Sequence, residues 1–436
     1  MKKLITFSLS LIIILTSCSS PQEPVETNEV ELFGTYTLSE LEADADRLRT
    51  IVDAYSVKLF TDEEEYEATY ETAVAGLREG MTGLEFIRAM KPFVASIRCG
   101  HTQLFPDIDY DKVELMPLDI EVLGGKLYIS RSAVKTDIPM GSEIIAINGR
   151  SAEDILKTME KGMSRDGYNI TNSHYLFSRM FAREYAYHVE YAGEFDISYT
   201  TPGGDDGNET LQSVKANIYN RKLYESRDTA FASEFGEDHA ILSAYTFNPY
   251  GDNTIAAFKE YFDEFFLDVA EKGIGNVILD VRGNGGGDPY ITSHLFSYLE
   301  NEPYPYFSPE SPNYYRGLND PIPMAENNFG GNLYILIDGG SFSSTGHLIA
   351  LLDYHDIGTF IGVESGASYI CTDSSRDADL PNTGAHFHYS TQAWSVAVEG
   401  LTHGRGIMPD YEIQPTIDDV LKGTDPLMEF VLDTIY

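Results

Sequence analysis

Cysteine is nearly missing from this chain of 436 residues, which has three. One of them, Cys18, sits in a leader-like start. The other two, Cys99 and Cys371, permit at most one disulfide, so no framework of bridges holds the fold and a packed core must do it. Positive charge is scarce as well. Against 69 Asp and Glu the chain sets only 30 Lys and Arg, for a formal charge of −39. Such a surface repels phosphate backbones and anionic headgroups, which excludes nucleic acid as a partner recognised through basic patches. Long apolar runs are absent apart from Leu4 to Leu15, which is too short and too near the start for a comfortable membrane span. With 42% hydrophobic residues the remainder is ample for two or three packed domains.

What is present begins with an address. Lys2-Lys3, the apolar run and Leu15-Thr16-Ser17-Cys18 form a signal pattern over residues 1–18, and small residues before Cys18 resemble a lipobox, in which cleavage leaves a lipidated cysteine at the new N-terminus. Residues 19–35 then read as a polar tether. The expectation is an exported lipoprotein held by its N-terminal lipid to the membrane of a bacterial cell envelope.

The fold class expected is α/β, in three parts. Ser39-Glu-Leu-Glu42, Thr61-Asp-Glu-Glu64 and Thr82-Gly-Leu-Glu85 are capping-box patterns followed by apolar residues at helical spacing, so 36–112 reads as a helical N-terminal subdomain. Short alternating strands follow over 113–225. There, Leu118 to Ile129 and Met140-Gly141-Ser-Glu-Ile-Ile-Ala-Ile-Asn148-Gly149, with a helix through Ile155 and Met159, resemble a PDZ domain carrying an insertion. From 226 to 436 strands alternate with helices, which argues for a mostly parallel sheet with crossover helices and a strand-rich C-terminal extension at 386–398. In such sheets ligand sites gather beyond the carboxyl ends of strands.

Two of those ends are chemically distinctive. Val277-Ile-Leu-Asp280-Val-Arg282-Gly-Asn-Gly285-Gly286-Gly287 runs from a buried-strand pattern into a glycine cluster, and Leu333-Tyr-Ile-Leu-Ile-Asp338-Gly-Gly-Ser-Phe-Ser343-Ser344 repeats the design before an apolar helix. Glycine turns bring backbone N–H groups close to a ligand, and a serine at a helix start sits where negative charge is favoured. A nucleophile from one turn and oxyanion donors from the other are the parts of a serine hydrolase. Serine needs a base. After Ser343 the only lysine is Lys422, so histidine remains, and His101 in Cys99-Gly100-His101-Thr102 stands out among ten.

Other chemistries fit less well. No Gly-Lys-Ser/Thr follows Gly287, as a phosphate loop would need. Asp107-Ile-Asp109-Tyr-Asp111 begins like a calcium loop but has Lys112 and Leu118 where Gly and Glu belong. His386, His388 and His403 lack recognisable zinc spacing, and His347, one turn beyond Ser343, reads as structural. No metal or other cofactor is expected.

Asp280-x-Arg-Gly-Asn-Gly-Gly-Gly287, Ser341-Phe-Ser-Ser344, Gly362-Val-Glu-Ser-Gly366 and Gly404-Arg-Gly-Ile-x-Pro-Asp410 together resemble the tail-specific, or C-terminal processing, serine peptidases. The missing lysine and the position of His101 are similar to the tricorn-core-like branch. The resemblance implies a peptide or protein substrate, Ser343 as nucleophile, His101 as general base, and an oxyanion hole from the N–H groups of Gly286 or Gly287 and of Ser344. It also implies a carboxylate that orients the base, for which Glu399 is nearest the final motif. Two positions depart from the family pattern: Gly346 replaces a frequent Glu, and Cys99 replaces the Asp that often precedes Gly-His. The alternative these departures raise is a non-catalytic peptide-binding member of the same fold.

Overall fold

In the computed structural model residues 29–223 and 229–435 are described, so Cys18 and the signal lie outside the described residues. The expected tether ends sooner than 35. Glu29–Phe33 is helical, with Phe33 buried and the Glu29 carboxylate accepting from the Thr82 hydroxyl at 2.6 Å.

Helix starts follow capping chemistry, though not always at the expected residue. The Leu38–Tyr55 helix is capped by Thr37, whose side chain accepts from Glu40 N, rather than by Ser39. For Glu63–Ala75 the cap is Asp62, not Thr61, because the Thr61 hydroxyl donates to Ile97 O instead. Thr82 and Glu85 form the reciprocal box expected at the head of Gly83–Ala95.

After these helices comes a sheet in the order Asp206–Gln212, Glu194–Thr200, Glu143–Ile147, Lys126–Ser132, Leu118–Leu123. The Leu118–Leu123 edge is covered by the Ile170–His188 helix, where the Ser178 hydroxyl accepts from Val122 N at 2.9 Å. Helices and sheet share one buried core, from Phe33 through Phe93 and Ile120 to Phe195. The boundary drawn near residue 112 therefore separates textures, not cores.

The second sheet is built from Phe231–Phe235, His239–Ala244, Asn276–Asp280, Asn332–Ile337, Thr359–Gly362 and Tyr411–Glu412, in that spatial order. Only the first pair is antiparallel. Alternation sorts its side chains between two layers. Val277, Leu279, Ile335 and Ile337 face the Ile255–Lys272, Pro289–Ser297 and Ser344–Tyr354 helices, while Ile278, Leu336 and Ile361 face Leu427 and Val431 of the C-terminal helix. Parallel strands buried on both faces explain why the sequence shows continuous apolar runs there.

The strand-rich extension does not stay with this sheet. His386–Tyr389 pairs antiparallel with Gln103–Phe105, opposing His386 to Phe105 and His388 to Gln103. Phe387 and Tyr389 thereby join the N-terminal core.

One buried acid gives a test of the packing. Glu300, just past the Pro289–Ser297 helix, is 1% exposed, and among the described residues neither carboxylate oxygen has a hydrogen-bond partner. Burial pushes its carboxyl up to about 8. The folded state then holds a proton that the unfolded chain releases near its ordinary value of 4.5. Stability contributed by this group is full below that value and falls as pH rises toward 8. Glu300→Gln should leave stability nearly unchanged at pH 5 and raise it by about 1–3 kcal/mol at pH 8. Urea melts of both proteins at the two pH values check this, and a gap that does not widen with pH refutes it.

Candidate active site

Parallel pairing of Asn276–Asp280 with Asn332–Ile337, Asp280 opposite Leu336, puts both glycine turns side by side at the carboxyl end of the sheet. A half-buried aspartate and a buried asparagine then clamp the turns together. Asp338 Oδ1 accepts from Gly283 N at 2.8 Å and from Gly340 N at 2.9 Å. Asn284 Oδ1 accepts from Gly286 N at 2.9 Å and from the Thr345 hydroxyl at 3.0 Å, while its Nδ2 donates to Ala244 O at 2.9 Å and its backbone carbonyl accepts from Phe342 N at 3.0 Å. Neither residue was assigned a role from sequence. The signal was there only as a polar residue at a strand end, which is common.

Ser343 stands at the sharp turn into the Ser344–Tyr354 helix with φ 55° and ψ −125°, a left-handed conformation that side chains rarely adopt. Strain of this kind costs on the order of 1–3 kcal/mol and persists only where the surroundings over-determine it. The Ser343 hydroxyl makes no capping bond. It lies 3.2 Å from His101 Nε2.

His101 reaches that point from 242 residues earlier in the chain. The Gln103–Phe105 ladder carries it, and side chains fix its turn: Cys99 Sγ lies 2.7 Å from the Thr372 hydroxyl, and Ser390 N donates to the Thr102 hydroxyl at 3.3 Å. Phe342, next to Ser343, packs on the imidazole with ring centroids 4.8 Å apart. The same ring lies over Gly100, where a Cβ would stand 2.6 Å from it. Only glycine allows His101 and Ser343 to approach this closely.

The oxyanion donors need a correction. Gly286 N–H is already given to Asn284, so it is not available to a substrate. Gly287 pairs as a bridge with Phe247 through its neighbours, Phe247 N to Gly286 O and Asp288 N to Phe247 O, and its own N–H has no protein acceptor among the described residues. Ser344 N–H, in the unsatisfied first turn of a helix, is likewise without one. The part played by Gly286 is emptiness. At φ 92°, a Cβ there would lie 2.9 Å from Ser344 N and 2.8 Å from Ser343 Cβ.

Glu399 is not at this site. It is exposed, and its charge acts on Tyr304. The cause is local pairing, since Ala397 N donates to Tyr306 O and Tyr304 Oη donates to Ala397 O, which hold that stretch against Tyr304 to Tyr306. Glu364, read earlier only as part of a motif, is buried and accepts from Arg405 at 2.8 and 2.7 Å and from Gly406 N at 2.8 Å, tying the final motif down.

The unusual positions have physical explanations. A Cβ at Gly346 would meet Ala367 at 2.8 Å, so no Glu fits there. In place of a carboxylate at residue 99, Asp166 accepts from Gly100 N at 2.7 Å. His347 is buried with its Nε2 3.3 Å from Cys371 Sγ, and burial pushes it down to about 3, which keeps it neutral. His386 and His388 pair with Asp377, whereas His403 contacts the Tyr369 hydroxyl, so the three do not converge.

Gly286→Ala should cut the rate at which a fluorophosphonate labels Ser343 by about 10²-fold, the usual effect of losing an oxyanion donor. Gly285→Ala, where a Cβ meets nothing within 4 Å, is the control and should label normally. Equal rates for the two variants would refute the assignment of that space.

Residues 240–413 match the family model Peptidase family S41. Among solved structures, mature CPAF superposes with a TM-score of 0.65 at 13% identity, over 91% of this chain and 96% of that one. Mature CPAF complexed with lactacystin gives 0.63 at 13% identity, over 91% and 98%. At that identity the likeness shows a common fold. No curated protein matches the chain.

Proposed function

With residues 240–413 matching peptidase family S41 and the chain being a serine-type peptidase, we propose that it cleaves peptide bonds through a Ser343–His101 acyl-enzyme. The observation that carries the reading is the 3.2 Å approach of His101 Nε2 to a strained, uncapped Ser343 hydroxyl. His101 takes the hydroxyl proton as Ser343 attacks the carbonyl carbon, then gives it to the leaving amine; water repeats the sequence on the ester. Gly287 and Ser344 N–H groups stabilise the tetrahedral oxyanion.

The PDZ-like stretch, 113–225, is assigned to gating in preference to strand addition at its Leu118–Leu123 edge. That edge is already engaged by Ser178, and the covering helix is bonded to the catalytic turns at its start: Asn169 Nδ2 donates to Ser365 O and Asn172 Nδ2 to Gly339 O. Tyr175 of the same helix packs where a Cβ on Gly283 or Gly340 would stand. Export and anchoring through a lipid on Cys18 complete the proposal, supported by the signal and lipobox-like pattern alone.

With the soluble chain lacking residues 1–28, a fluorophosphonate should label wild type, not Ser343→Ala, and label His101→Ala at least about 10²-fold more slowly. No labelling of folded wild type in the presence of hydrolysable peptides would favour a peptide-binding protein without catalysis. For the full chain, metabolic palmitate labelling should disappear in Cys18→Ala, and persistence of label would sink the anchor.

A further inference from the structure

We propose that Asp166 is the residue that positions His101, holding the imidazole with its proton on Nδ1 and Nε2 turned toward Ser343. This rests on the Ser343–His101 reading above and extends it to a residue 65 positions beyond the base.

The observations converge from both sides of one gap. Asp166 is buried, in the turn that precedes the Ile170–His188 helix, and its Oδ1 accepts from Gly100 N, the residue before His101. Among the described residues its Oδ2 is buried without a hydrogen-bond partner, and so is His101 Nδ1. Its neighbours lock the turn in place: Gly167 N donates to Arg98 O, Tyr168 N donates to Gly404 O, and a Cβ on Gly167 would lie 2.4 Å from Gly404. Asp166 therefore cannot drift from the base without unpacking the final motif loop.

Energetics argue against a merely structural carboxylate. Burial raises the Asp166 pKa, and the influences that oppose this are the charge of His101 and the Gly100 N–H. An asparagine could accept the same backbone bond without the cost of a buried charge. Among the described residues Asp166 has no Lys or Arg ion pair. Arg98 pairs with Glu65 and lies over the Tyr168 ring, and Arg165 donates to Glu160 O and Met163 O. The remaining titratable groups facing the pair are the Cys99 and Cys371 thiols, both raised by burial, and neutral His347. A carboxylate here is useful when the imidazole becomes an imidazolium, as happens when it removes the serine proton. Hydrogen bonds in unliganded sites are often long and tighten on substrate binding, which fits two orphan atoms awaiting one another.

Asp166→Asn keeps the Gly100 bond but presents an amide that cannot accept from Nδ1–H. We expect kcat to fall by about 10²–10⁴-fold with KM within about twofold, and the acid limb of the kcat/KM profile to move to lower pH because the imidazolium loses its counter-charge. A kcat within threefold of wild type and an unmoved acid limb would overturn the proposal, whereas wild type failing to react with a fluorophosphonate would instead overturn the Ser343–His101 reading. Should the variant not fold, nitrogen-15 NMR of histidine-labelled wild type decides, with His101→Gln identifying the resonances. The Nδ1–H tautomer is required, and the Nε2–H tautomer rules the role out.

Discussion

The approach of His101 to Ser343 depends on one backbone ladder, the short antiparallel pairing of Gln103–Phe105 with His386–Tyr389. Bringing together groups separated by 242 residues carries a chain-closure cost that grows only slowly with length, but geometry to within a fraction of an ångström is harder to obtain. A sheet ladder supplies it, since a slip of one residue would turn Phe387 and Leu104 out of the core. The register thus protects the distance between His101 and Ser343 through hydrophobic burial far larger than any interaction at the site itself.

Within the catalytic unit the same logic appears as rigidity of turns. Backbone N–H groups can stabilise a developing oxyanion only if they are already pointed at it and not spent elsewhere. Asn284 and Asp338 spend the right ones. By taking Gly286, Gly283 and Gly340 N–H groups they fix both loops, leaving the N–H groups of Gly287 and Ser344 without a protein acceptor among the described residues. The strain at Ser343 is tolerated because Phe342 N, Thr345 and the helix after it are all committed to Asn284 or to the turn.

How much of this could be read from sequence follows from which interactions are local. The parallel sheet, its crossover helices, the serine at a helix start and the glycine runs announce themselves through periodicity and composition, whereas a histidine in a glycine turn such as His101 is singled out by the family resemblance. Helix starts were misplaced by a residue or two, at Thr37 and Asp62, because several polar residues in a row can each cap and tertiary partners choose among them. Glu399 illustrates the opposite failure. Its proximity to a motif in sequence points to the site, whereas pairing of its neighbours with Tyr304 and Tyr306 leads it elsewhere. Asp166 carries no local signal at all, being one acid among 69, and what separates it from the rest is burial against Gly100, beside His101.

That separation is also the physical reason a single carboxylate can matter on so acidic a protein. Charges in water are screened beyond about 8 Å at physiological ionic strength, so the surface excess contributes little to the field at His101. A carboxylate removed from water interacts through a medium of much lower effective dielectric, and its influence on a neighbouring imidazole is several times larger at equal distance. The cost of burying it is borne by the fold, through the Gly100 bond and the locked turn at Gly167. Cys99, a small buried residue wedged between Thr372 and Ser390, can then stand where a charged side chain would have disturbed the ladder, because the charge comes instead from the loop that leads into the Ile170–His188 helix.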